Sequence, residues 1–469
     1  MRRHSIVLFL LVALGTAEAA EPAVTHYDLR ARVLIAEERL EATARLEIKN
    51  VTDRPAVTLP FLLYRLLQVS SVTDAAGLPV QFSQQVRTYE DRPTMQVTAG
   101  SITLRQPLAP GASTTILVHY SGAVLGYREV MAYVQDRIDP EYTLLRLDTL
   151  PYPVIAQPSA KSERVAYQTN FTYRTEVTVP ADYTVACPDQ VVSETHSGST
   201  AVFVCRNDRA NWRIDLAIAK FKIVEDRAHN FRVYAMDKDA AAAPAVLREI
   251  GRAVDFYREY FGEIPGFSGY VVIEIPEWGS QAAPGYILQT AAAFRDPTKA
   301  EELYHEIGHT WNVRSKTEVQ RTRYFDEAFA SYFAALALRK FDGEEAYRAD
   351  LESARQLFAK WAAHDKMNAD TPIAEYGEHE LGRNSYTKGA WSLFVLHRLL
   401  GEDAFRKSMR ALLHDFHDKP ADFADFLAVV ERTSGRNLKR YADDWIYGAA
   451  SSKLMTDNTP IDAIVARYR

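Results

Sequence analysis

His305-Glu306-Ile307-Gly308-His309-Thr310-Trp311 and, a little downstream, Tyr324-Phe325-Asp326-Glu327-Ala328-Phe329-Ala330-Ser331-Tyr332-Phe333 are the stretches on which the reading of this chain turns. Helical residues four apart share a face, so His305 and His309 can offer both imidazoles to one ion. Glu306, between them, then points toward a water on that ion, the arrangement of a His-Glu-x-x-His metal helix.

Zinc needs a further protein ligand, and its identity sorts the possibilities. The metzincin pattern requires glycine at position 312 and histidine at 315; Asn312 and Ser315 exclude it. In the gluzincin pattern a glutamate on the following helix serves, about twenty residues on, and Glu327 stands there. Ala330, Ser331 and Ala334 continue its face with small side chains, so the two helices can approach closely. The expected site is one Zn2+ on His305, His309 and Glu327, with Glu306 as the base that activates water.

Outward from this centre the sequence divides in two. From Val24 to about Lys222 short apolar/polar alternations, such as Ala44 to Ile48 and Thr114 to His119, are punctuated by glycine, proline and aspartate. That is the pattern of many short antiparallel strands, a β-sandwich or saddle. Beyond it Leu247, Ile250, Val254 and Tyr257 recur at helical spacing, and Tyr270 to Ile275 reads as a buried strand. After Thr298 helices are predicted near 299–313, 324–341, 344–366, 385–400, 403–416, 422–434 and 437–447, with Gly401 and Gly435 at helix ends. The fold class is therefore α+β: residues 20–222 form a β domain and 223–469 a mainly helical domain carrying the metal motif.

Together with Ser385-Tyr386-Thr387-Lys388-Gly389-Ala390, the two opening stretches resemble the aminopeptidase N family of gluzincin peptidases, which also includes leukotriene hydrolases. Asp422-Phe423 through Trp445-Ile446-Tyr447-Gly448 is similar to the end of that family's catalytic domain. The resemblance implies a thermolysin-like catalytic domain after an N-terminal β domain, in a short form without the large C-terminal helical domain. It implies peptide hydrolysis, with Tyr386 hydrogen-bonding the tetrahedral oxyanion, a charge that develops only in the transition state. It also places substrate binding on Gly279, Ser280, Gln281, Ala282 and Ala283, where members that trim free N-termini carry a glutamate for the ammonium group. Here Ala282 replaces that glutamate, and an alanine cannot pair with a cation. Seventeen residues separate His309 from Glu327, one fewer than the family norm, and Thr310-Trp311-Asn312-Val313-Arg314 looks like the glycyl aminopeptidases.

A net charge of −6 with 25% charged residues carries no basic footprint for nucleic acid. Arg2 and Arg3 before the apolar run Ile6 to Leu14, then Ala17-Glu18-Ala19, predict a signal peptide over residues 1–19. The run is shorter than the roughly 20 residues of a membrane span, so a secreted or periplasmic protein is expected, with no membrane insertion after cleavage. Cys187 and Cys205 flank a turn-like His196-Ser197-Gly198-Ser199, so a hairpin there would pair them in a disulfide; two buried free thiols are the alternative. His414 and His417 read as a solvated helix face, and Trp278 and Tyr286 as packing or cleft-lining residues. Rival functions are a binding module on a peptidase fold and a zinc hydrolase of non-peptide substrates.

Overall fold

The computed structural model describes residues 21–127, 136–167, 169–188, 190–267, 269–276, 280–296 and 299–469. The signal-peptide segment, Gly279 and Trp278 lie outside these residues. Two compact units are present.

The first comprises residues up to Asp139 together with Leu144–Pro180 and Val192–Asp215. Its main sheet has seven strands in the order Gln190–Ser197, Thr200–Asn211, Phe171–Pro180, Ala23–Leu34, Arg39–Lys49, Ser113–Ala123, Leu67–Asp74. Alternate side chains are buried along Arg39–Lys49 and Phe171–Pro180, as the two-residue period of the sequence requires. A second sheet runs Ala56–Tyr64, Gln96–Leu108, Gln81–Thr88, all antiparallel. The expectation of a wholly antiparallel unit is corrected at one place. Ala23–Leu34 pairs in parallel with Phe171–Pro180, from His26 opposite Thr172 to Arg32 opposite Thr178. Pairing direction depends on strands far apart in the chain, which alternation does not encode.

The second unit comprises Pro140–Thr143, Ala181–Val191 and Leu216–Arg469. A five-stranded sheet runs Phe221–Asp226, Phe231–Met236, Tyr270–Ile275, Tyr286–Thr290, Gln281–Ala283, with the inner pairs parallel and both edge pairs antiparallel. All six residues of Tyr270–Ile275 are buried, because an inner parallel strand is covered on both faces. The helix Ala243–Phe261 makes the crossover between the parallel strands Phe231–Met236 and Tyr270–Ile275, burying Val246, Ile250, Val254 and Tyr257. Beyond this sheet the unit is mainly helical, including Gly343–His364, Lys388–Leu400, Glu402–Asp415 and Phe423–Ser434. Gly401 and Gly435 do end helices, both with positive φ.

Both cysteines are disulfide-bonded, but the hairpin geometry expected for them is corrected. The turn at Gly198 joins Gln190–Ser197 to Thr200–Asn211, whereas Cys187 follows Thr184–Ala186, a strand that pairs with Leu216–Ala219. Cys205 lies opposite Thr175 of Phe171–Pro180.

Candidate metal centre

His305, Glu306 and His309 come from the helix Ala300–Gly308 and the tight turn His309–Trp311 that extends it. Glu327 comes from a single wide turn of π type, Tyr324–Ala328, which runs into the helix Phe329–Phe341. The two segments meet closely at Gly308, where a Cβ would stand in contact, 3.4 Å from Cα and O of Ala330, and a larger side chain would not fit. Tyr324, Phe325 and Phe329 pack with Phe423 and Phe426 beneath the π turn, so the carboxylate is carried on a rigid aromatic base.

Glu327 Oε2 lies 3.1 Å from His305 Nε2 and 3.6 Å from His309 Nε2. One donor atom from each of the three residues falls within 4.8 Å of the others. Donors about 2.0–2.2 Å from a tetrahedral zinc stand roughly 3.3–3.6 Å apart, so the carboxylate-to-imidazole spacings bracket what such an ion requires. Two imidazole nitrogens and a carboxylate oxygen are also the donor types of a zinc site that leaves a fourth position open. The two rings are nearly perpendicular, 87° apart, with centroids at 4.8 Å.

The outer faces of the ligands are held as well. His309 Nδ1 sits 2.8 Å from Asp326 Oδ1, which leaves Nε2 for an ion. Ser331 Oγ lies 3.4 Å from His305 Nδ1. Arg323 Nη2 donates to Glu327 Oε1 and, at 3.1 Å, to Asp326 Oδ2. Burial acts to lower the His309 pKa, but Asp326 and Glu327 outweigh it and raise it to about 9. Burial acts to raise the Glu327 carboxyl, but Arg323 with His305 and His309 brings it below its ordinary value. For Asp326 the same opposition holds: burial raises, and His309 and Arg323 lower it further than burial raises it. Glu306 differs, since burial dominates and raises its pKa. This site thus gathers negative charge around two imidazoles, an environment completed by a divalent cation.

Tyr386 closes the turn Gly382–Tyr386 immediately before the helix Lys388–Leu400. Its ring stacks on His305, centroids 5.6 Å apart and 10° from parallel, and it keeps 37% of its surface exposed, so a ligand can reach it. Burial of the phenol and the Glu327 charge raise its pKa and hold the O–H protonated. Lys388, from the same motif, turns away: it is fully buried, with Nζ 3.0 Å from Ser452 Oγ.

The segment expected to bind substrate is anchored to the metal helix. Ser280 Oγ donates to the Glu302 carboxylate and accepts from Thr290 N at 3.0 Å, while Thr290 Oγ1 donates to Glu302 at 3.0 Å. Gln281, Ala282 and Ala283 form an edge strand opposite Leu288, Ile287 and Tyr286. Tyr286 is fully buried and therefore a packing residue, and His414 and His417 are exposed. The sequence pattern assigns no site role to Arg323 or Asp326, and marks Ser331 only as a small residue on the Glu327 face. Asp326 beside a ligand and Ser331 on the Glu327 face were available signals; Arg323 left none, because its role needs the turn.

Residues 287–445 match the peptidase family M1 domain. The chain is 24% identical over 245 residues to aminopeptidase N of Streptomyces lividans, covering 48% of this chain and 28% of that protein. It is 21% identical over 248 residues to tricorn protease-interacting factor F2 of Thermoplasma acidophilum, covering 49% and 32%. The matched part thus spans about a third of these curated relatives. A crystal structure of an M1 zinc metallopeptidase from Deinococcus radiodurans shares the fold, with a TM-score of 0.64 at 17% identity over 92% of this chain and 94% of that one. Around its His-His-Glu centre the chain thus carries a peptidase family M1 domain, and over that part it is similar to the aminopeptidase N, or M1, zinc metallopeptidases.

Proposed function

We propose that this protein is an exported zinc-dependent peptidase that hydrolyses short peptides, with one zinc ion on His305, His309 and Glu327. The observation that carries the reading is the convergence of the three donor groups within 4.8 Å. When bound, zinc supplies Lewis-acid polarisation of a carbonyl and acidifies water to a pKa of about 7. Glu306, next to His305 on the same helix, accepts the proton of the attacking water and returns it to the leaving amine. Tyr386 donates its phenolic O–H to the carbonyl oxygen as negative charge builds there. Because water is the nucleophile, no covalent intermediate on the chain is required. Asp326, at His309 Nδ1, supports the tautomer in which Nε2 faces the ion.

Ser280 to Ala283 is proposed as the wall along which the substrate backbone lies, since Gln281–Ala283 is an edge strand of its sheet and an extended chain can add to such an edge. With Ala282 in place of an acidic side chain, strict dependence on a free N-terminus is not expected. Export is supported by the residue 1–19 pattern and by the disulfide, which suits an oxidising compartment. No helix among the described residues is long and apolar enough to cross a membrane.

The test is metal analysis of the purified chain together with hydrolysis of a tripeptide, free and N-acetylated. A crystal structure of a Deinococcus radiodurans M1 metallopeptidase mutant bound to Tyr-Ser-Ala makes that peptide a reasonable probe. About one zinc per chain, turnover of both forms, and a 10²- to 10⁴-fold loss in Glu306→Gln with zinc retained are expected. Full activity in Glu306→Gln would eliminate the proposed base, and loss of turnover on acetylation would show that another residue recognises the amine.

A further inference from the structure

Arg323 has a backbone conformation that its type disfavours, with φ 56° and ψ 24°. A left-handed residue bearing a Cβ is costly, so something must hold it there. It stands immediately before the π turn, and its carbonyl accepts the first helical bond, from Glu327 N at 2.8 Å. The side chain is thereby thrown back over the turn, where Nη2 reaches both Glu327 Oε1 and Asp326 Oδ2. Its guanidinium carbon lies 5.9 Å from the Tyr386 ring centre. Space is kept for this path: a Cβ on Gly382 would stand 3.1 Å from Arg323 Cγ and 2.8 Å from Arg321 O. Ser385 Oγ donates to Thr322 O at 2.6 Å, fastening the Tyr386 turn to the same segment.

We infer that Arg323 is the positioning residue of the metal centre: by occupying Oε1 of Glu327 it presents the other oxygen alone to the ion, and it fixes Asp326 behind His309. The inference rests on the zinc reading above. The geometry is divided in the way this role requires, since Oε1 faces the guanidinium while Oε2 faces both imidazoles at 3.1 and 3.6 Å. Unrestrained, a carboxylate can rotate or bind through both oxygens, and adjacent Asp326 and Glu327 would repel each other. A guanidinium is permanently charged and its Nη2 carries two N–H groups in a fixed plane, so that one nitrogen can serve both carboxylates; an ammonium is a strongly hydrated point charge and holds them less well. Outer-sphere groups of this kind set ligand orientation and hence metal affinity.

The experiment compares the full chain with Arg323→Gly, Arg323→Lys and Glu327→Ala, reading zinc affinity by competition with a colorimetric chelator and thermal midpoint in the metal-free state. Glycine accepts the left-handed backbone without strain, so Arg323→Gly removes the guanidinium while relieving the turn. Zinc binding by Arg323→Gly should weaken about 10- to 100-fold, with Arg323→Lys between it and wild type. A residue that only braced the turn would instead leave zinc affinity unchanged in Arg323→Gly, whatever the metal-free midpoint, because glycine takes the same backbone conformation. Zinc binding by Arg323→Gly that equals wild type, or is tighter because a nearby cation has gone, overturns the inference. If Arg323→Gly does not fold, Arg323→Lys decides: wild-type affinity overturns the proposal and weaker binding supports it. Absence of zinc from wild type would sink the metal reading and this inference with it. Zinc bound by wild type and Arg323→Gly alike but lost in Glu327→Ala would sink the inference alone.

Discussion

Replacing Lys388 with methionine should make the protein more stable at neutral pH. Lys388 is fully buried at the start of the helix Lys388–Leu400, and Ser452 Oγ, at 3.0 Å, accepts its hydrogen bond. Burial lowers its pKa from an ordinary 10.5 to about 7. The folded chain therefore holds this amine neutral over a range in which the unfolded chain holds it charged. Between pH 7 and 10.5 unfolding takes up one proton here, so stability rises with pH by about 1.4 kcal/mol per pH unit. From pH 7.5 to 9.5 the gain is about 2.7 kcal/mol, and the cost still present at pH 7.5 is about 4 kcal/mol. Methionine has a similar volume and no charge to lose; leaving Ser452 without its donor costs about 1 kcal/mol. The net expectation for Lys388→Met is a gain of about 3 kcal/mol at pH 7.5, shrinking to nothing near pH 9.5. Urea unfolding at pH 7.5, 8.5 and 9.5, with a chelator present so that metal binding does not contribute, measures both quantities. Parallel pH profiles for wild type and Lys388→Met, or a variant less stable at pH 7.5, would refute the reasoning.

Tyr386→Phe removes the phenolic O–H and keeps the ring that stacks on His305. It should lower kcat about 10²- to 10³-fold with zinc content unchanged, and steady-state kinetics beside metal analysis checks both. Gly308→Ala should be tolerated, because its Cβ meets Ala330 at 3.4 Å, whereas Gly308→Val should cost about 1–3 kcal/mol by overpacking and weaken zinc binding as the helices part. Asp136→Asn removes the carboxylate 2.7 Å from the buried Arg146 and leaves Asp148 as a nearby negative charge; denaturant unfolding should show a loss of about 1–3 kcal/mol.

The parts of this protein that the sequence determined by itself are those set by short-range geometry. Spacing of four along one helix is enough to aim His305 and His309 together, and two-residue alternation is enough to mark strands such as Arg39–Lys49. An apolar, β-branched run broken by Glu274 alone marks Tyr270–Ile275, and glycines with positive φ end helices at Gly401 and Gly435. The likeness around Tyr386 pointed to the ring that does stack on a candidate ligand.

Tertiary structure alone decided the rest, because it depends on which distant segments meet. Alternation is blind to strand direction, so the parallel pairing of Ala23–Leu34 with Phe171–Pro180 had no signature, and neither did the partner of the strand before Cys187. Lys388 looks like any helical lysine until the Ala450–Thr456 helix covers it. Arg323 and Asp326 are ordinary surface types in sequence, and their place around Glu327 follows from a left-handed residue and a π turn that no residue pattern here announces. Local rules fix where a side chain leaves the backbone; only long-range packing fixes what it meets.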